Sequence, residues 1–533
     1  MQHDRRNRIP PTVFTHSAIK RFIDRANVTR ASKSVENRRT GTPRAAKAKR
    51  RYTSNIKIVG FGESEDGRRF VRLRITAVGK KESVVVPLDG LASTGAEAFD
   101  LLNLQRAHLI SLRSRQELID RIQGVGYRPP KFRVANRLGW HGLSFVLPDG
   151  VFPPATGRLY IQLGRDRPER FDRYRVGGTF KGWKKFARLA EGNSRLILAA
   201  CIALEGIVGP ILGTEPIGVA LVADGETGKS AVVVFAGAFW GCHTDDNMAN
   251  KLGFAVPWDA TDYDIEKEAL AVNHTVLLLD ETRTISTNES ELVRAISRQI
   301  FRLERGFERG RGNATHRRRS SHVSLLATSN VSLEGGTHGV QIDDAVRGRW
   351  IEVPRPTTGH GMFENLHGKS DVPSFARTIH SIAKQHFGHA ARVFIAHLLE
   401  WLTRDRAELE TWALARQTSF LKRARKVTDP TRAMDRIHQK FATLYAVGCL
   451  AAQFGVLDLD REEIRAALLT CLRDHVAHVQ ILRNQPSHLV PQDSPHSQTA
   501  PKVSAKTRCS ASIAAKRWTS GASRCSGMFG MRS

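Results

Sequence analysis

The sequence predicts an α/β protein whose core is a parallel β-sheet with helices on its faces. Between residues 185 and 360, short apolar runs typical of buried strands alternate with longer runs of helical character, which is the pattern of such a sheet. A glycine-containing loop at residues 223–230 follows one predicted strand. Another predicted strand ends in two adjacent carboxylates, Asp280 and Glu281. Because open α/β sheets bind ligands at the carboxyl ends of their strands, we expect both features at one edge.

Composition and periodicity divide the 533-residue chain into five segments. Both ends are poor in large apolar residues and rich in basic ones, so they are predicted to be disordered. Phe70–Ile75 alternates apolar and polar residues as a half-buried strand does. The predicted segments are a basic arm (1–54), an N-terminal α+β domain (55–165), the sheet domain (166–360), a helical C-terminal domain (361–483) and a basic serine-rich tail (484–533).

The charge of the chain predicts attraction to a polyanion, because the formal net charge is +30. Residues 1–51 carry 15 Lys and Arg against 3 acidic residues, and residues 484–533 carry 7 against 1. For the N-terminal arm, a solvated tail fits this composition as well as a phosphate-binding arm does.

The sequence favours a cytoplasmic protein without membrane contact. No uncharged apolar run reaches the roughly 20 residues of a membrane span, since Leu196–Ala223 is interrupted by Glu205 and Glu215. The N-terminus has no apolar signal core. The six cysteines are scattered without a C-x-x-C pair, which argues against a disulfide framework. The histidines show no metal-ligand spacing, so His141 and His274 are expected to pack or cap.

The loop at 223–230 fits the phosphate-binding loop, with Ala223 in place of the usual first glycine. In such a loop, backbone N–H groups surround phosphate oxygens, Lys229 reaches the β- and γ-phosphates, and Ser230 binds Mg²⁺. The following run, 231–240, would place the anion at a helix N-terminus, although its many valines make a helix depend on context. The sequence thus predicts a P-loop NTPase with a RecA- or AAA-like sheet that uses ATP and Mg²⁺. The predicted nucleotide-binding residues are Ala223, Asp224, Gly225, Glu226, Thr227, Gly228, Lys229 and Ser230.

The carboxylate pair lies at the end of the apolar run Val276–Leu279, with Asp280 placed 51 residues after Lys229. We expect Asp280 to hold the metal and Glu281 to orient and deprotonate the attacking water. An ordinary strand that ends in a solvated acidic pair is the alternative, and the preceding phosphate loop makes it less favoured.

A third predicted strand, Leu325–Ala327, is followed by polar residues that can contact the γ-phosphate. Asn330 is the predicted sensor of hydrolysis and Thr328 is the second choice. An ordinary cap between strand and loop is the alternative, because Ser and Asn favour turns.

Two arginines precede the next predicted strand, Trp350–Val353. Arg347 or Arg349 is a candidate to reach the nucleotide of a neighbouring subunit and stabilise charge in phosphoryl transfer. Local pairing with Asp343 or Asp344 is an equally weighted alternative.

Between the second and third predicted strands, residues 298–319 contain eight arginines and two acidic residues, with three glycines in the middle. In a ring-forming ATPase this segment would face the channel and contact nucleic-acid phosphates. A basic surface loop is the alternative. The predicted nucleic-acid-binding residues are Arg309, Arg311, Arg317, Arg318 and Arg319.

Together these residues resemble the family named domain of unknown function 927, which contains helicase- or primase-like ATPases of phages, plasmids and integrated elements. The resemblance covers about residues 55–400, and its most specific parts lie around Trp140 and Arg349. Besides the phosphate loop, the segments that carry it are Arg137–His141, Phe145–Asp149, Gly192–Leu196, Trp258–Thr261, Asn273–Thr275, Gly348–Pro354, Phe363–Gly368 and His386–Gly388. The chain departs from the pattern by Ala223 and by its basic arms.

The sequence therefore predicts an ATP-dependent motor on nucleic acid, most simply a helicase-like ATPase in the replication of a phage or mobile element. Single-stranded DNA is the expected partner, and the expected assembly is a homo-oligomeric ring with sites between subunits. The alternative is a nucleotide-gated switch, or a defence or scaffold ATPase without translocation, which would share every phosphate-site residue. A DNA-binding module with a degenerate ATPase is less favoured because Lys229, Asp280 and Glu281 are all present.

Overall fold

The computed structural model of the chain describes residues 55–77, 80–88, 91, 112–126, 128–153, 159–161, 171, 174–241, 254–258, 262–280, 289–306, 320–333, 344–428 and 431–484. These residues all fall in the first of the two units into which the chain divides, Met1–Pro486 and Ser487–Ser533. The two predicted arms, Glu281 and the arginines from Arg309 to Arg319 lie outside the described residues.

Thirteen strands occur in the described residues and form three sheets. In chain order they are β1 (Ile56–Ser64), β2 (Arg69–Ala77), β3 (Lys80–Pro87), β4 (Phe132–Ala135), β5 (Gly139–His141), β6 (Ser144–Leu147), β7 (Gly150–Phe152), β8 (Leu159–Ile161), β9 (Gly218–Val222), β10 (Ala255–Pro257), β11 (Val276–Asp280), β12 (Ser324–Ser329) and β13 (Trp350–Pro354).

Twelve α-helices occur in the same part of the chain. They are α1 (Leu112–Gly124), α2 (Phe180–Ala187), α3 (Ser194–Leu212), α4 (Lys229–Ala238), α5 (Asp262–Ala271), α6 (Glu289–Arg305), α7 (Asp344–Arg347), α8 (Val372–Ala383), α9 (His389–Arg404), α10 (Arg406–Ala424), α11 (Arg432–Gln453) and α12 (Arg461–Asn484).

The N-terminal sheet has the strand order β3-β2-β1-β4-β8 and is covered on one face by α1. Val71, Leu73 and Ile75 of β2 are fully buried and pack with Leu118 and Ile122 of the helix. The alternation in the sequence therefore gives the inward face correctly, because successive side chains of a strand point to opposite faces.

The central sheet has the order β10-β11-β12-β9-β13, and every neighbouring pair of strands is parallel. One strand, β12, separates β9 from β11. The sequence predicted β9, β11, β12 and β13, whereas β10 has only three residues and too little pattern to be recognised. Since all five strands run in the same direction, the carboxyl ends of β9, β11 and β12 lie at one edge.

Two apolar helices, α3 and α4, form the buried layer against this sheet. Every residue from Ser194 to Gly209 is buried, as is every residue from Ala231 to Ala238. The valine-rich run after the phosphate loop is thus helical, because tertiary packing outweighs the modest helix propensity of valine. Among the described residues, α3 is the one helix long and apolar enough to cross a membrane. However, 83% of its apolar 18-residue stretch is buried inside the protein, as in a core helix.

Beyond residue 360 the described chain is mainly helical, and α9, α11 and α12 match the three helices predicted there. Asp460 caps α12 as predicted, since its Oδ1 accepts a hydrogen bond from Glu463 N at 2.7 Å. Sequence reasoning missed α10, which buries few apolar residues along its length and so has a thin hydrophobic stripe.

Candidate functional site

The loop between β9 and α4 turns sharply into the helix, as the predicted phosphate-binding loop requires. Glu226 (φ 57°) and Gly228 (φ 91°) both adopt the left-handed conformation, and α4 begins at Lys229. The N–H groups of a helix's first turn face its N-terminal end and favour an anion there. A Cβ atom at Gly228 would lie 2.5 Å from the ring of Phe363, so backbone and packing both require glycine.

The Lys229 ammonium group lies against three oxygens. Its Nζ donates to the carbonyl oxygens of Ala223 at 2.5 Å and Asp224 at 2.6 Å. It also donates to Asn330 Oδ1 at 2.7 Å. A buried ammonium group needs such acceptors, and Lys229 is only 9% exposed. The predicted sensor residue is therefore in direct contact with the predicted phosphate-binding lysine.

Asp280 is the last residue of β11 and is 7% exposed. Its Oδ1 accepts a hydrogen bond from Thr328 Oγ1 at 2.5 Å. Thr328 lies on β12, the neighbouring strand, and was the second choice for the sensor. In the structure Thr328 contacts the candidate metal-binding carboxylate, and its role as a sensor stays a prediction.

Strand β12 and the residue after it connect the two halves of the site. Thr328 contacts Asp280, and Asn330, two residues later, contacts Lys229. The Ala223 N–H group donates to the carbonyl oxygen of Ser329 at 3.2 Å, which joins the start of the loop to the end of β12. The structure thus brings Lys229, Asp280 and Asn330 together at the carboxyl edge of one sheet.

These residues fit Mg²⁺ and a nucleoside triphosphate. Carboxylate and hydroxyl oxygens are the ligands that Mg²⁺ prefers, and Asp280 and the half-buried Ser230 supply them. The Lys229 ammonium group donates to neutral oxygens in this structure, and phosphate oxygens would offer charged acceptors for the same donors.

A segment of which sequence reasoning recognised only the last residue, Phe363, packs on the loop at 223–230, and we call residues 359–363 the loop brace. The Met362 N–H group donates to the carbonyl oxygen of Thr227 at 2.8 Å. A Cβ atom at Gly361 would lie 2.3 Å from that same oxygen. Phe363 is fully buried against Gly228. The brace has no motif of its own, because its contacts depend on backbone atoms and on two glycines.

The two candidate arginines of the neighbour's site lie at the amino edge of the sheet, since they precede β13. Arg349 forms an ion pair with Glu304 of α6, and its guanidinium stacks 4.9 Å from the centre of the Phe301 ring. Local pairing with Asp343 or Asp344 stays a prediction, because Asp343 and the side chain of Asp344 lie outside the described residues. Arg347 ends the short helix α7. A role in trans stays a prediction for both arginines.

The predicted basic segment, residues 298–319, begins inside helix α6, which extends to Arg305. The first third of the segment is therefore helical. The helix ends at Gly306, which has φ 59° and accepts a hydrogen bond from Ser321 N at 2.6 Å. The residues on either side of the predicted nucleic-acid-binding arginines are therefore joined at the amino edge. Those arginines themselves lie outside the described residues.

Within the described part of the chain, no group of three or more His, Cys, Asp and Glu side chains could hold a metal ion. Cys201, Cys449 and Cys471 are buried free thiols. Burial raises the pKa of the Cys201 thiol well above its usual range and that of Cys471 to about 11, so both stay protonated at neutral pH.

Comparison with protein families gives a match to the family described as Domain of unknown function (DUF927) over residues 30–323, more than half of the chain. The chain belongs to the DUF927 family. The predicted resemblance is confirmed, although the match begins earlier and ends earlier than the stretch of about 55–400 that the motifs indicated. No curated protein matches the chain.

A solved structure described as "SCCmec type IV Cch - active helicase" resembles this DUF927 chain. The TM-score is 0.56 at 18% sequence identity, and the match covers 81% of this chain and 75% of that one. At this identity the comparison shows a shared fold, and it confirms the mixed α/β architecture.

Two of the DUF927 segments identified in the sequence meet at the start of β11. A Cβ atom at Gly139 (φ 95°) would lie 2.6 Å from the carbonyl oxygen of Asn273. The Trp140 N–H group donates to His274 Nδ1 at 2.8 Å. Burial, with smaller contributions from nearby cationic groups, lowers the pKa of His274 well below its usual range, which keeps this nitrogen an acceptor. His274 packs and positions, as predicted.

Another DUF927 segment supplies Arg195, which is fully buried near the start of α3. Its Nη2 donates to Asp474 Oδ2 at 2.5 Å and to the carbonyl oxygen of Pro354 at 2.7 Å. Its Nη1 lies 3.2 Å from Glu364 Oε1. One guanidinium group therefore joins α3, the end of β13, the chain just after the loop brace, and α12.

Replacing Arg195 by methionine is expected to lower the free energy of unfolding by about 3–5 kcal/mol, because it leaves two partly buried carboxylates without their cation. Urea unfolding of the full chain measures this. Arg188→Met is the matched control, since Arg188 pairs with Asp458 on the surface and such pairs contribute little. Equal losses in the two variants would contradict a structural role for the Arg195 cluster.

Proposed function

We propose that this DUF927 protein is an ATP-dependent motor on nucleic acid, built on a P-loop NTPase domain of RecA or AAA type. The observation that carries the proposal is the arrangement at the carboxyl edge. There Lys229 contacts Asn330, and Asp280 contacts Thr328 on the strand between them. A cation and a carboxylate that both contact the end of β12 support the proposal, because phosphoryl transfer requires a phosphate-binding cation together with a metal-binding carboxylate.

Each residue has one role in the proposed mechanism. Lys229 and the loop N–H groups bind the phosphates, while Ser230 and Asp280 hold Mg²⁺, which neutralises developing charge when bound. Glu281, which follows Asp280, orients the attacking water and accepts its proton. Asn330 changes partner from Lys229 to the γ-phosphate, and so senses the state of the nucleotide. Arg347 or Arg349 completes the site of a neighbouring subunit in a ring.

Three observations support nucleic acid as the partner. The net charge of +30 favours a polyanion, and the arginines Arg309–Arg319 fall in the sequence between Gly306 and Ser321, which are hydrogen-bonded to each other. The structural neighbour is described as an active helicase. We propose that Arg309, Arg311 and Arg317–Arg319 contact the phosphates of single-stranded DNA in the cytoplasm.

An ATPase assay with and without single-stranded DNA tests the motor proposal. We expect Mg²⁺-dependent hydrolysis that DNA stimulates, together with ATP-dependent strand displacement. Hydrolysis without DNA stimulation or displacement would contradict the motor and favour a nucleotide-gated switch. A chain that hydrolyses no ATP under any of these conditions would contradict both.

Replacing Arg317, Arg318 and Arg319 by alanine is expected to flatten the salt dependence of DNA binding. Three lost phosphate contacts change the slope of log K against log salt by about 2 for a single strand. Lys422, Arg423 and Lys426 are exposed on and just after α10, and their triple alanine variant removes the same charge as a matched control. Slopes that fall equally in both variants would show that net charge, and not the basic segment, governs binding.

A further inference from the structure

The turn that follows Asn330 is held by a buried carboxylate from β13. Glu352 is 2% exposed. Its Oε1 accepts a hydrogen bond from the Leu333 N–H group at 2.7 Å, and its Oε2 accepts one from Ser332 Oγ. The two carboxylate oxygens of Glu352 therefore bind two adjacent residues, Ser332 through its side chain and Leu333 through its backbone.

Helix α12 holds Glu352 from the other side. His475 Nδ1 lies 2.9 Å from the Glu352 carbonyl oxygen, and His478 Nε2 lies 3.6 Å from Glu352 Oε2. The backbone of Glu352 is thus held by α12, and a second histidine of that helix lies near its carboxylate, in addition to the pairing of β13 with β9 at Ala220.

The contact of Glu352 with Ser332 and Leu333 affects the position of Asn330. The chain leaves β12 at Ser329, passes β9, whose end carries the phosphate loop, and reaches β13 at Ser332 and Leu333. Asn330 lies on this crossing, one residue after β12 and two residues before Ser332. Fixing Ser332 and Leu333 therefore restricts where the Asn330 amide can lie.

We propose that Glu352 is a positioning residue of the ATPase site, which holds the 331–333 turn so that the Asn330 amide faces the γ-phosphate position. This inference rests on the proposed function. A buried carboxylate is costly unless its oxygens accept hydrogen bonds, and the two hydrogen bonds that the Glu352 carboxylate accepts both come from the turn. The packing of α12 against Glu352 of β13 therefore contributes to the activity of the proposed ATPase site.

The chain offers a matched control at the opposite edge of the same sheet. Glu205 of α3 is fully buried. Its Oε2 accepts a hydrogen bond from Ser324 Oγ at 2.7 Å, and its Oε1 lies 3.2 Å from His322 Nε2. Both carboxylates thus contact one serine and one histidine, but of the two only Glu352 binds the turn that follows Asn330.

The test compares Glu352→Gln with Glu205→Gln in the full chain, with kcat, the KM for ATP and the melting temperature as readouts. We expect kcat of Glu352→Gln to fall about tenfold, because small misplacements of a catalytic group have large effects on rate. Its KM should change by less than about twofold, since the phosphate loop is intact. Glu205→Gln should keep the wild-type kcat even where its melting temperature falls.

Ser332→Ala removes one donor from the Glu352 carboxylate at a half-buried position and tests the proposal where Glu352→Gln fails to fold. We expect a lowered kcat with an unchanged KM. A wild-type kcat in Ser332→Ala, or equal losses of kcat in the two glutamine variants, would overturn the positioning role. A wild-type chain without ATPase activity would instead overturn the proposed function and this inference with it.

Discussion

Lys229→Met is expected to raise the dissociation constant of Mg²⁺·ATP at least about a hundredfold, because hydrogen bonds from a charged group contribute about 1.5–3 kcal/mol each. Methionine keeps most of the apolar length of the side chain and removes only the ammonium group, which in this structure contacts the loop carbonyls and Asn330. Titration of the full chain with a fluorescent ATP analogue measures the effect.

Lys440→Met is the matched control for this variant. Lys440 is 4% exposed and donates to the carbonyl oxygens of Pro216 and Arg349 and to Glu304 Oε1, at 3.1–3.2 Å. Burial lowers its pKa, and the neighbouring Glu304 carboxylate acts against this. It lies at the amino edge, so its loss should leave nucleotide binding near wild type. Equal weakening in both variants would show general damage, and unchanged binding by Lys229→Met would remove Lys229 from the phosphate site.

Glu281→Gln is expected to bind ATP as tightly as wild type while kcat falls about a thousandfold, within the range for loss of a general base. The amide cannot accept the proton of the attacking water, whereas the loop that binds the phosphates is unchanged. Steady-state hydrolysis and nucleotide titration on the same preparation separate the two effects.

Asp280→Asn distinguishes the metal-binding carboxylate from the base. It should weaken ATP binding in the presence of Mg²⁺ and leave binding in EDTA unchanged, because Asp280 is proposed to act only through the metal. Wild-type turnover by Glu281→Gln would exclude Glu281 as the base. Identical behaviour of the two variants would contradict the division of roles between adjacent residues.

All strands of the central sheet except β10 were predictable because of short, continuous apolar runs, two of which led into the polar residues Asp280 and Asn330. Their meeting at one edge followed from the parallel arrangement, and the family followed from the same segments. The helical state of the valine-rich run after Lys229 did not follow from propensity. It depends on burial against the sheet, which only the three-dimensional packing shows.

Contacts between residues distant in sequence and without a motif were not predictable. The loop brace binds Thr227 through the backbone of Met362. A backbone donor cannot be recognised from the sequence, because it does not depend on the side chain. Glu352 is one acidic residue within an apolar strand, and its partner turn is 19 residues away. Arg349 pairs with Glu304 on α6, and no sequence pattern links these two distant residues.

A crystal structure of the full chain with Mg²⁺ and a non-hydrolysable ATP analogue tests the central claim most directly. We predict phosphate oxygens within about 3 Å of Lys229 Nζ, with the metal between Ser230 and Asp280. The Lys229 side chain should then have left the carbonyl oxygens of Ala223 and Asp224. A triphosphate bound anywhere other than the carboxyl edge of this sheet would contradict the account.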